Sequence, residues 1–366
     1  MVHSLLLAAL ALAGFQNPAP HVPAPIVLSG ALSPGRCRVW VDLAGDKYLF
    51  LVDTGMDHSY IRPDLKQNAL AKDPNAKIAI ADASVPVSKF DTQSSSLYRE
   101  RPYVGGLLGM DILGKLAFTI DYDSQQVTVW PPAYPADQME EDLGKSITKL
   151  SLLSEPNTTL QFFNTSLGLA QLDTGAAISL LPKTANASPE VFPTKISQPL
   201  ELFEGVTGKA TQSVVRKLAI GDQDLFCQML LVSDTVDVGV ISPNIFSRKV
   251  LFDFPNHQIE FSQLSSSDQA CRALGAVLHS TVEDRNGEPY MRTQSIKNLG
   301  PGQFTWVRVV SINGHKGHDL LTMLENKDLL SATILQNAYD SLANGGTVIV
   351  DNGSKQERLY VAPFIH

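Results

Sequence analysis

Cysteine is scarce in this sequence, and long hydrophobic runs are absent after residue 13. The three cysteines, Cys37, Cys227 and Cys271, match no zinc or redox spacing. Their odd number leaves at least one thiol outside any intramolecular disulfide. One disulfide between the other two is possible, but the sequence does not assign it. No stretch after residue 13 approaches the ~20 uncharged apolar residues that a membrane-spanning helix requires. We therefore predict no metal site and no stable membrane span.

Positive charge is also in deficit, because 29 lysines and arginines face 37 aspartates and glutamates, for a net charge of −8. Proteins that bind nucleic acid usually present a basic surface, so this balance argues against such a partner. Hydrophobic residues make up 44% and charged residues 18% of the chain, which is enough to bury a core. A length of 366 residues allows two or three domains.

Residues 5–13 form a short apolar run that ends in Ala11-Leu12-Ala13. A run of this length before small residues is typical of a secretory signal peptide, and it is too short to span a bilayer. The residues before it include His3 but no lysine or arginine, so a buried amino-terminal helix is the alternative. We predict a signal peptide over residues 1–13 and an exported protein, either periplasmic or extracellular.

Proline-rich and polar stretches divide the rest of the chain into three blocks. Residues 131–135 contain three prolines and precede the acidic residues 140–142, and residues 265–269 are a polar run. Such stretches are typical of linkers. We therefore predict a first lobe at 26–130, a second lobe at 146–263 and a third block at 272–366.

The first two blocks repeat each other. Four segments match in the same order, namely 48–55 with 169–175, 78–82 with 218–222, 107–113 with 240–246, and 120–127 with 252–259. All are short β-branched or aromatic runs separated by turn residues, which predicts mostly β structure in both lobes. An internal duplication explains four ordered matches better than coincidence does.

Each copy contains Asp-Thr-Gly directly after an apolar strand, at Asp53-Thr54-Gly55 and at Asp173-Thr174-Gly175. One such tripeptide carries little information, but two copies in equivalent places are specific. The pattern places an aspartate at a strand end, and glycine permits a tight turn with unusual backbone angles. Threonine can hydrogen-bond backbone groups across an interface between the lobes.

These two tripeptides, each followed by a second apolar segment, resemble the pepsin and retropepsin superfamily of aspartic peptidases. Together with the third block, the chain resembles bacterial-type exported aspartyl proteases. The resemblance implies a mostly β, bilobal pair of pepsin/retropepsin-like β-barrels, followed by a small α+β PDZ-like domain at 272–366. It covers residues 30–262 well and the remainder loosely.

The same resemblance implies a role for each matching residue. Asp53 and Asp173 would be the catalytic carboxylates, and Thr54 and Thr174 would hold the two active-site loops together. The remaining loop and support residues would be Gly55, Gly175, Leu108, Gly109, Ile241 and Ser242, with Ser242 standing where the family has glycine. A flap that closes over substrate would contain Gly205, Val206, Thr207 and Gly208.

The implied reaction is hydrolysis of a peptide bond in a protein or peptide substrate. Two close carboxylates share one proton, so one can activate a water while the other protonates the substrate. This mechanism needs no metal or cofactor. It needs no second protomer either, because both aspartates lie in one chain. Met56 and Ala176 follow the glycines where pepsins have a hydroxyl, so we expect only a mildly acid activity optimum.

Two further features qualify this interpretation. The segment that would contain the flap is much shorter in the first lobe than in the second, so the first lobe is expected to have lost its flap. In the third block the nearest candidate for a PDZ carboxylate-binding loop is 298–302, and its prolines fit poorly. That block would either dock a peptide or only pack against the lobes. Two alternatives to an enzyme therefore stay open, a non-catalytic peptide-binding protein and a structural surface protein.

Overall fold

The computed structural model describes residues 24–29, 37–80, 83–92, 104–124, 126–132, 134–144, 147–156, 158–176, 178–201, 207–278, 280, 282–293, 305–327, 330–343 and 346–360. The predicted signal peptide, the flap residues Gly205 and Val206, and the loop 298–302 lie outside these ranges. No helix in the described ranges is both long and apolar enough to cross a bilayer.

The chain is mostly β, as the sequence predicted. The first lobe contains β1 (Ile26–Ser29), β2 (Arg38–Leu43), β3 (Asp46–Val52), β4 (Tyr60–Ile61), α1 (Pro63–Lys72), β5 (Lys77–Ile80), β6 (Ala83–Pro86), β7 (Asp91–Thr92), β8 (Val104–Leu108), α2 (Met110–Leu113), β9 (Ala117–Asp121) and β10 (Gln126–Trp130). The second lobe, with the helix before it, contains α3 (Ala136–Leu143), β11 (Ile147–Ser151), β12 (Leu153–Ser154), β13 (Gln161–Thr165), β14 (Gly168–Leu172), β15 (Leu180–Pro182), β16 (Val191–Glu201), β17 (Thr207–Ile220), β18 (Gln223–Ser233), β19 (Gly239–Ile241), β20 (Lys249–Asp253) and β21 (Gln258–Ser262). The remaining elements are α4 (Ser266–Leu278), β22 (Val282–Arg285), β23 (Glu288–Thr293), β24 (Thr305–Ile312), β25 (His315–Lys316), α5 (Gly317–Glu325), α6 (Ser331–Ala343), β26 (Thr347–Asp351) and β27 (Gln356–Tyr360).

A six-stranded sheet joins the two lobes, in the order β1-β10-β9-β20-β21-β11. Each lobe contributes three strands, and the repeated segments 120–127 and 252–259 form the hairpins on either side of its middle. At the centre β9 pairs antiparallel with β20, and the rings of Phe118 and Phe252 stack with centroids 4.8 Å apart. Both rings belong to one hydrophobic core that includes residues of both lobes. The two lobes are therefore built on a common base.

Above this base, each lobe has a sheet of its own in which the strand before the aspartate pairs with the second apolar segment. In the first lobe β3 runs parallel to β8, with Val52 opposite Leu108. In the second lobe β14 runs parallel to β19, with Leu172 opposite Ile241. The repeated sequences thus produce the same local topology twice.

The lobes differ in the region of the expected flap. In the second lobe β16 and β17 form a hairpin that is paired from Val191–Val215 to Glu201–Thr207. In the first lobe the chain between β4 and β5 forms α1 instead of a hairpin. The short hairpin β5–β6 that follows has four residues in each strand, and Ile78 and Ile80 bury their side chains in the main core.

A packed helix directly follows the first stretch that the sequence suggested as a linker, and another begins within the second. Residues 136–143 form α3, whose Met139 and Leu143 bury against Trp130 and Leu251. The polar run 265–269 lies at the start of α4, because Ser265 accepts a hydrogen bond from the backbone of Asp268 at 3.0 Å and so caps the helix. The polar run therefore forms the first turn of a helix, where polar residues are typical.

The third block contains an antiparallel sheet in the order β22-β23-β24-β26-β27, with short β25 beside β24. Its buried valines and methionine pack with α4, α5 and α6 in a second core. This core also takes in Val214 and Cys227 from the second lobe. The third block is therefore α+β and shares its interior with the second lobe.

Candidate active site

The two aspartates begin equivalent loops. Asp53 follows β3 and donates its backbone N–H to the carbonyl of Leu108 at 3.0 Å. Asp173 follows β14 and donates its backbone N–H to the carbonyl of Ile241, also at 3.0 Å. The second apolar segment of each lobe thus fixes where its aspartate leaves the sheet.

Each carboxyl group lies against the glycine of the opposite loop. A Cβ placed on Gly55 would stand 2.5 Å from Cγ of Asp173, and one placed on Gly175 would stand 2.3 Å from Cγ of Asp53. Such distances are far inside van der Waals contact, so only glycine leaves room for the facing carboxyl. The two carboxyl groups therefore converge on one place between the lobes.

This contact, and not backbone conformation, explains the two glycines. Neither Gly55 nor Gly175 has a φ angle in the left-handed region, so the expectation of unusual backbone angles was wrong. What requires glycine is the space that the carboxyl group of the other lobe occupies. That requirement arises from tertiary structure and is not visible in one copy of the motif.

The two threonines cross-link the loops through four hydrogen bonds. The backbone N–H of Thr54 donates to Oγ1 of Thr174, and the N–H of Thr174 donates to Oγ1 of Thr54, each at 3.0 Å. Each hydroxyl then donates into the opposite lobe, Thr54 to the carbonyl of Leu172 at 3.0 Å and Thr174 to that of Val52 at 2.7 Å. Both threonines are fully buried, so every hydroxyl bond is made away from water.

Backbone amides of each loop also hold the carboxylates. The N–H of Gly55 donates to Oδ1 of Asp53 at 3.0 Å. In the second lobe Gly175 and Ala176 donate to Oδ1 of Asp173 at 2.7 Å and 2.9 Å. Asp53 is only 7% exposed, so its charge depends on such donors more than on solvent.

The support beneath the loops differs at one position. A Cβ on Gly109 would stand 2.4 Å from the carbonyl oxygen of His58, so the first lobe requires glycine there. Ser242 occupies the equivalent place in the second lobe, where it is fully buried with φ −78°. Its hydroxyl has no hydrogen-bond partner among the described residues. The second lobe therefore accommodates a side chain at this point, where the first lobe does not.

Two supporting serines escaped the sequence interpretation. Oγ of Ser59 accepts the backbone N–H of Gly109 at 2.9 Å, and Oγ of Ser179 accepts that of Ser242 at 3.0 Å. Both serines are buried. Each lies six residues after its aspartate, so the duplication extends beyond the glycines and carries a signal for them.

Asp57 forms a second link between the lobes, and no pattern in the sequence indicated it. Its Oδ1 accepts hydrogen bonds from the hydroxyl of Thr158 at 2.9 Å, and from the N–H and the hydroxyl of Thr159, both at 2.7 Å. Burial by itself raises the pKa of Asp57, but these hydrogen bonds together outweigh it and lower the pKa below the usual value. Beside it, Gln171 donates its side-chain amide to the carbonyl of Gly55 at 3.0 Å.

Two buried titratable groups near the aspartate loops, Tyr122 and Cys37, stay neutral. Burial raises the pKa of Tyr122 well above its usual value, with smaller increases from Cys37 and Asp173. Burial raises the pKa of Cys37 to about 12, although Arg38 lowers it somewhat. Neither group therefore ionises near neutral pH.

The hairpin β16–β17 shares an apolar cluster with β19, the strand whose Ile241 supports the second aspartate. Leu200 on β16 packs with a small cluster that includes Leu180, Leu231 and Val240. Val240 directly precedes Ile241, whose carbonyl accepts the Asp173 amide. Thr207 and Gly208 begin β17, and Gly208 lies so close to Thr235 that a Cβ would meet its methyl group at 2.0 Å.

No family model and no curated protein matches this chain. Among solved structures, the aspartic proteinase from Irpex lacteus is similar, with 12% sequence identity and a TM-score of 0.41. The match covers 68% of this chain and 100% of the proteinase. Conglutin gamma, a basic 7S globulin from lupine seeds, is similar at 12% identity and a TM-score of 0.40, covering 67% of this chain and 97% of its own. Basic 7S globulin from soybean has 10% identity and a TM-score of 0.36, covering 66% of this chain and 95% of its own. These values are too low to indicate a function.

Proposed function

We propose that the protein is an aspartic endopeptidase whose catalytic dyad is Asp53 and Asp173. The observation that carries the proposal is reciprocal, since each carboxyl group fills the space above the glycine of the other loop. This packing supports a close pair of acidic groups. The threonine hydrogen bonds, all within one chain, support a dyad that needs no second protomer. A monomer then suffices for activity.

The chemistry follows from the electrostatics of a close carboxylate pair. Two adjacent negative charges repel strongly in a partly buried site, so the pair retains one proton over a broad pH range. The ionised member takes a proton from a water held between the carboxyl groups, and that water attacks the peptide carbonyl carbon. The protonated member donates to the carbonyl oxygen. The other member then gives the proton that it took from the water to the amide nitrogen as the C–N bond breaks, and the amine departs.

A peptide would lie between the dyad and the hairpin β16–β17. The first lobe offers α1 where a second hairpin would stand, so closure comes from one side. This asymmetry is also what favours the second candidate, a peptide-binding protein that retains the fold without turnover. Export through residues 1–13 would place either activity outside the cytoplasm.

Cleavage of casein separates the candidates. The wild-type chain should cleave casein with an optimum above about pH 4, because neither Met56 nor Ala176 supplies a hydroxyl to the carboxylates. Pepstatin should inhibit the cleavage, and Asp53→Asn or Asp173→Asn should each lower kcat by about 10³-fold or more. The control is Asp42→Asn, an exposed aspartate on β2, which should retain full activity. A folded wild-type chain that binds casein without cutting it would favour the binding protein and refute the peptidase.

A further inference from the structure

The outer part of the hairpin β16–β17 has little sheet around it. Strand β17 pairs with β18 from Ile220 out to Ala210, which lies opposite Ser233. Beyond Ala210, residues 207–209 pair only with β16 among the described strands. A two-stranded hairpin is marginally stable by itself, so its direction depends on how its base is held.

The base of the hairpin is irregular on its outer strand. Strand β16 is the edge of the eight-stranded sheet, and its pairing with β17 shifts between Pro193 and Ser197. Pro193 faces Ser213 and Ser197 faces Thr211, so residues 194–196 form a bulge opposite one residue of β17. A bulge bends a strand and removes backbone groups from the ladder, and those groups need other partners.

Helix α6 of the third block supplies two of these partners. The backbone N–H of Lys195 donates to Oδ1 of Asp340 at 2.8 Å, and the carbonyl of Pro193 accepts the side-chain amide of Gln336 at 2.6 Å. Gln336 and Asp340 are four residues apart, so they project from one face of the helix. Asp340 is only 9% exposed, so it makes this contact away from solvent.

Apolar packing reinforces the same contact. Phe192 and Ile196 of β16 pack against the core that contains Leu335, Tyr339 and Leu342 of α6. At the start of the helix, Oγ of Ser331 lies 3.0 Å from Sγ of the buried Cys227 on β18. The helix therefore covers one face of the sheet from β18 to the bulge in β16.

We propose that α6 positions the hairpin β16–β17 over the substrate, and that Asp340 is the positioning residue. The inference rests on the proposed function and assigns a part in it to the third block. When α6 holds the bulge, the hairpin keeps Leu200 in the apolar cluster with Val240. Val240 directly precedes Ile241, whose carbonyl accepts the Asp173 amide. Without the Asp340 bond, the Lys195 amide loses its acceptor and the hairpin adopts a range of directions, so substrate binds more weakly.

The test compares Asp340→Ala with Asp340→Asn, whose carboxamide oxygen can accept the same hydrogen bond. Kinetics use a fluorogenic peptide built on a casein cleavage site, with active enzyme counted by pepstatin titration. Asp340→Ala should raise KM about tenfold while kcat changes less than about twofold, because one hydrogen bond of this kind is worth that much. Asp340→Asn should stay close to wild type. Asn337→Ala, at an exposed position on the same helix, is the matched control.

Hydrogen exchange gives a second readout that does not require turnover. In Asp340→Ala, amides of residues 195–201 and 207–211 should exchange about tenfold faster than in wild type, while those of β9 and β20 are unchanged. Gln336→Ala should act in the same direction with a smaller effect, and it serves if Asp340→Ala folds poorly. An unchanged KM together with unchanged exchange would overturn the proposal. A loss of activity explained entirely by a smaller amount of pepstatin-titratable enzyme, with KM unchanged, would overturn it as well. If wild type cleaves nothing, the peptidase proposal fails, and the exchange result still decides whether α6 anchors the hairpin.

Discussion

At the residue scale, the site is held together by side chains that each bond across the boundary between the lobes. Thr54 and Thr174 do so symmetrically, and Asp57 does so on one side only. The symmetric bonds follow from the duplication, since each copy brings the same residue to the same place. Asp57 has Ala177 as its counterpart in the second copy, so its bonds to Thr158 and Thr159 make the two halves of the site unequal.

The Asp57 contacts predict a dependence of stability on pH. Asp57 has a folded-state pKa below its usual value, so its ionised form is favoured by folding. Its contribution is therefore present above about pH 4 and is lost as the pH falls through the lower, folded-state value. Asp57→Asn should lower the free energy of unfolding by about 1 kcal/mol at pH 6, after allowance for solvent screening.

Urea unfolding of wild type and Asp57→Asn at several pH values checks this. The difference between them should shrink steadily as the pH is lowered from about 4 towards about 2.5. Asp73→Asn, near the end of α1, is a control for the loss of one carboxylate. A difference that stayed constant across this range would mean that the Asp57 charge contributes nothing to folding.

At the element scale, helix α4 ties the third block to the loop that supports Asp173. The guanidinium of Arg272 donates to the carbonyl of Asn244 and, at 3.3 Å, to that of Ser247. These carbonyls lie two and five residues after Ser242. Burial lowers the pKa of Arg272 to about 10, so the side chain is still charged at neutral pH. A buried guanidinium without such acceptors would be strongly unfavourable.

Removal of this side chain should therefore destabilise the fold. Arg272→Met retains much of the apolar stem but leaves both carbonyls without their donor, so the free energy of unfolding should fall by about 2–3 kcal/mol. Arg272→Lys should recover part of the loss. Lys316→Met removes a positive charge from an exposed position and should change stability by less than about 0.5 kcal/mol. Equal effects of Arg272→Met and Lys316→Met in urea unfolding would show that the Arg272 contacts are unimportant.

At the scale of the whole molecule, the second lobe lies between two hydrophobic cores and contributes residues to both. Along β17, Val214 faces the core shared with the third block, and the next residue, Val215, faces the core shared with the first lobe. Because successive side chains of a strand point to opposite faces, one strand contributes to both interiors. Loss of either core exposes the apolar face of β17, so the three parts are expected to unfold together.

The three tryptophans allow this to be measured. Trp130 is buried in the first lobe, and Trp306 lies in the third block with its ring 4.9 Å from the guanidinium of Arg285. Two single-tryptophan variants, each with the other tryptophans replaced by phenylalanine, should show urea midpoints that agree within about 0.2 M. A Trp306 transition at clearly lower urea would mean that the third block is an independent domain.

Much of the fold class and of the candidate site can be predicted from the sequence. The paired Asp-Thr-Gly motifs, the matched apolar segments and the mostly β character are local patterns, and local patterns are visible in a sequence. The sequence also indicated the long second-lobe hairpin, because the segment between two matched positions is longer in the second lobe than in the first. The supporting serines Ser59 and Ser179 carry the same kind of signal, since they stand at equal distances from the two aspartates.

The amino-acid sequence alone thus specified which residues are candidates for chemistry, through a duplication that repeats them at the same spacing. Three-dimensional packing was needed to explain why glycine must face each carboxyl, how the lobes share a six-stranded sheet, and how α6 covers the bulge in β16. These features are contacts between residues more than a hundred positions apart, such as Lys195 with Asp340. Such contacts depend on how whole faces fit together, and no pattern within a short window of the chain encodes that fit.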